Sequence, residues 1–427
     1  MDKKLCVIGL GYIGLPTAAV FANYGWNVQG VDVNDRVIET LNKGEVHIEE
    51  FGLATLVKEV VSKGYLTADN KPSEASVFII AVPTPHNENL TANLSYLISA
   101  TESLLPYLKK DDTIIIESTI PPRTIDDVVG PIISNNGWSI GEDVFLAHCP
   151  ERVLPGNILK ELINNNRIIG GFDSLSAHKA AEVYKTFVKG EVIETVALSA
   201  EMAKLMENTF RDVNISLANE LAKISEKLNV NTLDVIELAN LHPRVNLHTP
   251  GPGVGGHCLA VDPYFIIEKA HNEAKLISTA REINNSMPMY IVEQIDKLYQ
   301  GKGHIGILGI TYKGNVDDIR ESPALKIINE LLDKGYEVKI HDPYVKDEST
   351  IFKLSSFEEV IEGSECLLVL SDHNEFIKID EEKFINKASK PVIFDTKNCM
   401  KITNNDIKYI NYNNLYLVNE VQSNFVY

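Results

Sequence analysis

The tightest constraint on this chain is a run near its start, Gly9-Leu10-Gly11-Tyr12-Ile13-Gly14, lying between the apolar stretch Leu5–Ile8 and helix-forming sequence from Ile13 to Tyr24. Three glycines at this spacing have separate uses. The first permits a tight turn, the second lets backbone approach a pyrophosphate, and the third allows close helix–strand packing. Phosphates would then rest on the helix N-terminus, where unpaired N–H groups point outward. The next strand, Val28–Asp32, ends in an acid at the separation this arrangement requires. Gly9, Gly11, Tyr12, Ile13, Gly14 and Asp32 therefore predict a dinucleotide cradle. Asp32 would accept hydrogen bonds from ribose hydroxyls and repel a 2′-phosphate, which favours NAD over NADP. Arg36 could meet a 2′-phosphate and so points the other way; its simpler reading is a solvated helix residue.

The same alternation continues. Val77–Val82 and Thr113–Glu117 are further apolar runs of strand length, separated by helix-forming sequence. Strands apolar on both sides indicate a parallel sheet covered by helices on both faces. The C-terminal third repeats the grammar. Ile305–Gly309 runs into a glycine turn, Glu337–Asp342 ends in an acid, and Cys366–Leu370 and Val392–Asp395 complete a second set. Its glycine pattern is incomplete, so this second doubly wound domain is expected to hold a different ligand. Between the two, residues 199–240 carry no strand signal. Ser199, with Glu201 close behind, reads as a helix start, and Leu205, Leu217, Leu221, Ile224 and Leu228 form an apolar stripe. A long helix there would join the domains and offer a face for dimerisation. The expected division is 1–198, 199–300 and 301–427.

Composition narrows the class. A chain of 427 residues is too long for one ordinary domain. A net charge of −19 disfavours nucleic acid and anionic membranes as partners, so an anionic ligand would need a local cluster of cations. Five scattered cysteines without a CxxC pair argue against disulfides or a zinc ribbon and for a reducing cytoplasm. Met1 to Ala22 superficially resembles a signal peptide, but its glycines and Pro16 fit the strand–turn–helix reading better. No other apolar run approaches the length of a membrane span.

The most informative stretch elsewhere is Gly251-Pro252-Gly253-Val254-Gly255-Gly256-His257-Cys258. So many glycines beside one cysteine suggest backbone wrapped closely around a ligand and presenting a thiol. Asp262 lies one turn on if a helix begins at Cys258, and a helix N-terminus would lower the thiol pKa. The plain alternative is a buried structural cysteine. A metal held by His242, His248, His257 and Cys258 fits poorly, because their spacing matches no ligand pattern. Lys204, Asn208 and Arg211 share one helix face, ordinarily a solvated one. Glu117-Ser118-Thr119 and Cys149-Pro150-Glu151-Arg152 follow apolar strands, where doubly wound sheets place ligands. Thr311-Tyr312-Lys313-Gly314 occupies the matching turn of the second domain, with Arg320 shortly after.

Taken in order, Gly9–Gly14, Glu117–Thr119, Cys149–Arg152, Lys204–Arg211, Gly255–Asp262, Thr311–Gly314 and Arg320 resemble the UDP-glucose/GDP-mannose dehydrogenase family over essentially the whole chain. The resemblance implies two Rossmann-like domains, one binding NAD and one a UDP-sugar, joined by a long central helix that forms a homodimer core. Within the family, UDP-glucose members usually carry Leu-Pro-Lys-Asp after the cysteine. Here the sequence is Leu259-Ala260-Val261-Asp262-Pro263, with His242-Pro243-Arg244 upstream. It looks like the branch acting on UDP-N-acetyl-D-mannosamine in surface polysaccharide synthesis, with enzymes for UDP-N-acetylglucosamine next.

That resemblance implies a chemistry. Taking an alcohol to an acid needs two hydride transfers and an aldehyde that must not escape. A thiolate, here Cys258, captures the aldehyde as a thiohemiacetal, which is oxidised to a thioester and hydrolysed. Lys204 and Asn208 would donate to the developing oxyanion. Asp262 would hold Lys204 or help activate water, and Thr119 and Glu151 would position water and handle protons. NAD would be held by the glycine turn, Asp32, Arg36, Pro83, Thr84, Thr119 and Arg320. The UDP-sugar would meet Glu151, Arg152, Val153, Leu154, Lys204, Asn208, Arg211, His242, Arg244, Gly253, Gly255, Tyr312 and Lys313. A non-catalytic NAD sensor would need neither Cys258, Lys204 nor Asp262, and a two-electron hydroxy-acid dehydrogenase would release one NADH per substrate.

Overall fold

The computed structural model describes residues 3–418 apart from 155, 300 and 302. It divides into two compact units, Met1–Glu207 with Tyr264–His271, and Asn208–Pro263 with Asn272–Tyr427.

The first unit is built on eight strands: β1 (Lys4–Ile8), β2 (Asn27–Val31), β3 (Leu66–Asp69), β4 (Val77–Ile80), β5 (Thr113–Ile116), β6 (Phe145–His148), β7 (Arg167–Gly171) and β8 (Val192–Val196). Their order is β3-β2-β1-β4-β5-β6-β7-β8, parallel except between β6 and β7. Every residue of β4, β5 and β6 is buried, as helices on both faces demand. The strand order reverses between β1 and β4, which opens a crevice at their C-terminal ends. The glycine turn, Ala81–Thr84, Glu117–Thr119 and Cys149–Arg152 all follow those ends. On one face, Phe21 packs edge-on to Trp26 and Phe187, at ring separations of 5.4 and 4.8 Å.

The second unit holds β9 (His304–Leu308), β10 (Val338–His341), β11 (Ser364–Val369), β12 (Val392–Asp395) and β13 (Lys408–Ile410), all parallel, in the order β10-β9-β11-β12-β13. Ile291 and Ile295 of helix Lys275–Leu298 share its core with Ile327, Ile328 and Leu331 of helix Pro323–Asp333. The chain is thus an α/β protein with two doubly wound sheets, the first predominantly and the second wholly parallel, as expected.

Several elements differ in extent from the sequence reading. The strands expected to run through Asp32 and Asp342 stop one residue short. Each carboxylate takes the N–H two residues on, Asn34 or Tyr344, at 2.9 Å, and this turns the chain. The long helix is Ala197–Leu228, 32 residues, so Ser199 lies inside it and is not its cap. It follows directly from β8. The region 199–240 breaks at Asn229, whose φ is +55°, and Asn231 caps a separate helix Thr232–Asn240. The apolar stripe is not core either. Leu205 is fully buried, but Leu217, Ile224 and Leu228 are exposed by 48%, 47% and 69%.

Candidate active site

The glycine turn sits where the sequence places it, and its three glycines differ in what demands them. Gly9 has φ +94°, and a Cβ there would lie 2.5 Å from the Ala81 carbonyl oxygen. A Cβ on Gly14 would lie 1.8 Å from the Gly9 oxygen, so the turn and the first helix turn forbid a side chain. Gly11 is different: a Cβ there would meet nothing within 4 Å. The fold itself does not require glycine at 11, whereas close approach of a ligand's phosphates would. Asp32 completes the cradle, its second oxygen accepting from Leu10 N–H at 2.9 Å. Its carboxylate therefore fixes the turn. Tyr12 is about half exposed and Arg36 exposed, its backbone N–H held by the Asn34 cap. These residues fit a dinucleotide.

Beyond β4 and β5, the Thr84 hydroxyl donates to the Thr119 carbonyl at 2.6 Å and Ser118 to the Val82 carbonyl at 2.7 Å, fixing the two loops together beside exposed Pro83. Glu151 is buried, and its carboxylate takes Arg167 Nη1 at 3.0 Å and its neighbour Arg152 N–H at 2.6 Å. Arg152, expected on a diphosphate, is paired with Glu207 at 2.6 Å. Val153 is partly buried and Leu154 exposed, with Leu154 N–H held by Glu161 at 2.9 Å. Lys204 is buried. It lies near His148, whose imidazole gives Nδ1 to the Ile116 carbonyl at 2.8 Å and is pushed down to about 4 by burial and, secondarily, by the Lys204 cation. Cys149 is fully buried, its thiol pushed up to about 12 by burial. That is a structural cysteine.

In the second unit, Cys258 is partly exposed and opens a turn, its carbonyl accepting from Val261 and Asp262 N–H at 3.0 and 2.8 Å. The helix proper is Asp262–Lys269, so the cysteine precedes the helix by a turn and does not form its N-terminus. Asp262 is buried and accepts from Asn208 Nδ2 at 2.6 Å. The glycines before Cys258 are needed by the fold itself. Cβ atoms at Gly253, Gly255 and Gly256 would strike Pro323, the Glu321 carbonyl or the Tyr312 side chain, so these glycines let the loop lie on the protein itself. Only Gly251 in this loop faces open space. Gly256 N–H donates to the Arg320 carbonyl at 3.0 Å, which puts Arg320 beside the cysteine. The Arg320 guanidinium is engaged bidentately by Asp318 at 2.9 and 2.6 Å. Burial, then Asp318 and Cys258, raise the Tyr312 hydroxyl pKa. Arg211, Lys313, His242 and Arg244 are exposed, the last two adjacent, with Arg244 Nη2 3.5 Å from His242 Nε2. His242, His248, His257 and Cys258 are not gathered into a cluster, and no group able to hold a metal occurs among the described residues.

The second sheet reproduces the acid–turn bond, Ile310 N–H to Asp342 at 2.8 Å, but its cradle is filled. Buried His373 lies 3.2 Å from both Asp342 and Thr311, with Tyr344 stacked on it at 4.8 Å. The sequence reading missed His373 and a buried set around Glu117 comprising Thr17, Arg167 and Tyr184. A charge opening the apolar strand Arg167-Ile168-Ile169-Gly170-Gly171 was the available signal for the last.

Models of the UDP-glucose/GDP-mannose dehydrogenase family match this chain in three successive stretches: the NAD binding domain over residues 3–188, the central domain over 198–286 and the UDP binding domain over 306–402. A UDP-N-acetyl-D-mannosamine dehydrogenase of Methanocaldococcus jannaschii is 51% identical, covering 94% of this chain and 93% of its own. One from Campylobacter jejuni is 44% identical over 90% of this chain and 98% of its own. The solved structure of the UDP-N-acetyl-mannosamine dehydrogenase of Staphylococcus aureus is 51% identical, with a TM-score of 0.89 over 97% of this chain and 99% of that one. Fold and site define an NAD-dependent dehydrogenase of nucleotide sugars. The chain belongs to the UDP-glucose/GDP-mannose dehydrogenase family.

Proposed function

We propose that the chain oxidises the primary alcohol of UDP-N-acetyl-D-mannosamine to the carboxylate, a four-electron reaction supplying surface polysaccharide precursors. The observation that carries the chemistry is a partly exposed Cys258 opening the turn that leads to Asp262, itself bonded to Asn208. The sugar is taken from relatives so named that are up to 52% identical over nearly the whole chain. Ala260 and Val261, buried beside the cysteine, support it, because the lysine that UDP-glucose members carry would be desolvated at position 261.

NAD, held by Gly9–Gly14, Asp32, Pro83, Thr84 and Thr119, supplies the hydride acceptor. Cys258 adds to the aldehyde, and the adduct is oxidised to a thioester that water cleaves. Asn208, its Nδ2 oriented by Asp262, and Lys204 stabilise the oxyanion. Thr119 and Glu151 position the hydrolytic water. Arg152, Lys204, Arg211, Arg244, Tyr312 and Lys313 receive the UDP moiety. The working divisions are 1–198, 199–300 and 301–427. The enzyme acts as a homodimer in the cytoplasm. Five cysteines, none in a disulfide, suit that compartment, and among the described residues no helix is long and apolar enough to cross a membrane.

The test is NADH formation from UDP-N-acetyl-D-mannosamine, UDP-N-acetyl-D-glucosamine and UDP-glucose. Two NADH per UDP-N-acetyl-D-mannosamine are expected, with UDP-glucose turned over far more slowly. Equal or faster turnover of UDP-glucose overturns the sugar assignment, and one NADH per substrate overturns the four-electron chemistry.

A further inference from the structure

The segment from Gly251 to Asp262, which carries Cys258, is held at both ends by the long helix Ala197–Leu228. After the cysteine, Asn208 Nδ2 donates to Asp262 at 2.6 Å. Before it, the fully buried Asn219 accepts Gly251 N–H on Oδ1 at 2.9 Å. Positions 208 and 219 are about three helical turns apart, so both amides leave the helix on one side, roughly 16 Å apart along its axis. A row of buried groups fixes which way the Asn219 amide points. Asn284, on helix Lys275–Leu298, gives its amide protons to Asp212, to Oδ1 at 2.8 Å and to the backbone carbonyl at 3.0 Å. Arg281 donates to the same Oδ1 at 2.6 Å. Asn284 Oδ1 is thereby turned to Asn219 and accepts from its Nδ2 at 2.9 Å. The last acceptor of the row, Asn219 Oδ1, is the one offered to Gly251.

We propose that Asn219 is a positioning residue for the oxidation: by fixing Gly251 it sets the place at which the loop presents the Cys258 thiol. The rest of the loop transmits that placement. Gly253 lies against the second helix, where a Cβ would come within 3.2 Å of the Asn284 carbonyl oxygen, and Gly256 N–H is bonded to the Arg320 carbonyl. Few residues then separate the last anchor from Cys258, whose own carbonyl starts the turn to Asp262. Asn219 acts only through this loop. Losing one backbone hydrogen bond changes stability modestly, whereas a reacting atom misplaced by about 1 Å can cost on the order of a hundredfold in rate.

This inference rests on the assignment of Cys258 as the nucleophile. The experiment measures kcat, the Kd for NAD and, in the substrate-free protein, the rate at which iodoacetamide alkylates Cys258. Peptide mass separates that thiol from the partly exposed Cys399. Asn219→Ala should lower kcat about tenfold to a hundredfold and leave the Kd for NAD unchanged. The released loop should let Cys258 alkylate several-fold faster, below the melting temperature of the variant. Asn219→Asp is the conservative test. A buried carboxyl keeps its proton, and in that form it offers Gly251 an acceptor and Asn284 a donor, as the amide does. Its kcat should therefore stand near wild type at acid pH and fall away from wild type as rising pH ionises it, because the carboxylate has no proton for Asn284 Oδ1. The charged groups already joined to the row are Asp212 and Arg281. Alkylation reads the loop whichever sugar is the substrate, and full turnover by Cys258→Ser would reject the nucleophile while leaving that result standing. Alkylation of Asn219→Ala no faster than wild type, or Asn219→Asp as impaired at acid pH as at alkaline pH, overturns the proposal.

Discussion

At the scale of single residues, the glycine turn separates what folding needs from what a ligand needs. Gly14→Ala would force a Cβ into the Gly9 carbonyl, at 1.8 Å, and should destabilise the protein by several kcal/mol, on the order of an overpacked core site. Gly11→Ala meets nothing in the fold. Its melting temperature should stay near wild type while NAD affinity falls at least about tenfold, roughly 1.4 kcal/mol. Calorimetry and NAD titration on the same two proteins check this, and a normal Kd for Gly11→Ala removes the ligand's claim on that position. Among the cysteines, Cys258→Ser should stall before the second oxidation or as a slowly hydrolysed ester, because serine is a weaker nucleophile and its ester a poorer acyl donor. Cys149→Ser changes a fully buried thiol and should still give two NADH per substrate, with stability falling more than activity. Full turnover by Cys258→Ser would reassign the covalent step.

At the scale of elements, the long helix is tied to the loop after β5 by Glu201. Its carboxylate accepts Arg123 N–H at 2.6 Å and Ile125 N–H at 2.9 Å, at a point where Arg123 has φ +70°. Burial raises the carboxyl from 4.5 to about 7, although both backbone bonds oppose the rise. A raised carboxyl means that the folded state prefers it protonated. The stability this group contributes is therefore full below pH 4.5 and is lost as pH rises through about 7. Wild type should lose up to about 3 kcal/mol across that window relative to Glu201→Gln, which has no such titration. Urea unfolding of both proteins at several pH values gives the difference in slope, and parallel curves would count against it.

At the scale of the whole molecule, the exposed row Met206, Phe210, Leu217, Ile224 and Leu228 recurs along one face of the long helix, separated by 4, 7, 7 and 4 positions. A stripe of this kind is left uncovered within one chain and suits a second copy. Phe210→Glu combined with Ile224→Glu should yield monomers in sedimentation and abolish activity. The loss follows if Arg244, as the family resemblance implies, reaches the substrate of the partner subunit. Mixing inactive Arg244→Ala with inactive Cys258→Ala should then restore activity, since the mixed dimer keeps one site with both groups. Verified subunit exchange without recovery would refute sharing across the interface.

The sequence by itself determined both doubly wound sheets, the glycine turn with Asp32, and the residue types of the proposed chemistry. These are local signals: strand-length apolar runs, a glycine spacing, and a cysteine beside an acid one turn away. Strands β3, β7, β8 and β13 were not legible, since β3 and β13 are short and β8 alternates weakly. Tertiary structure decided what long-range partners decide. It paired Arg152 with Glu207, placed the glycines of the Cys258 loop on Tyr312 and Pro323, and turned Leu217, Ile224 and Leu228 outward. It also assembled Glu117, Arg167 and Glu151, whose numbers lie far apart. Desolvation and charge pairing act through space, so such partnerships are settled only once the chain has folded.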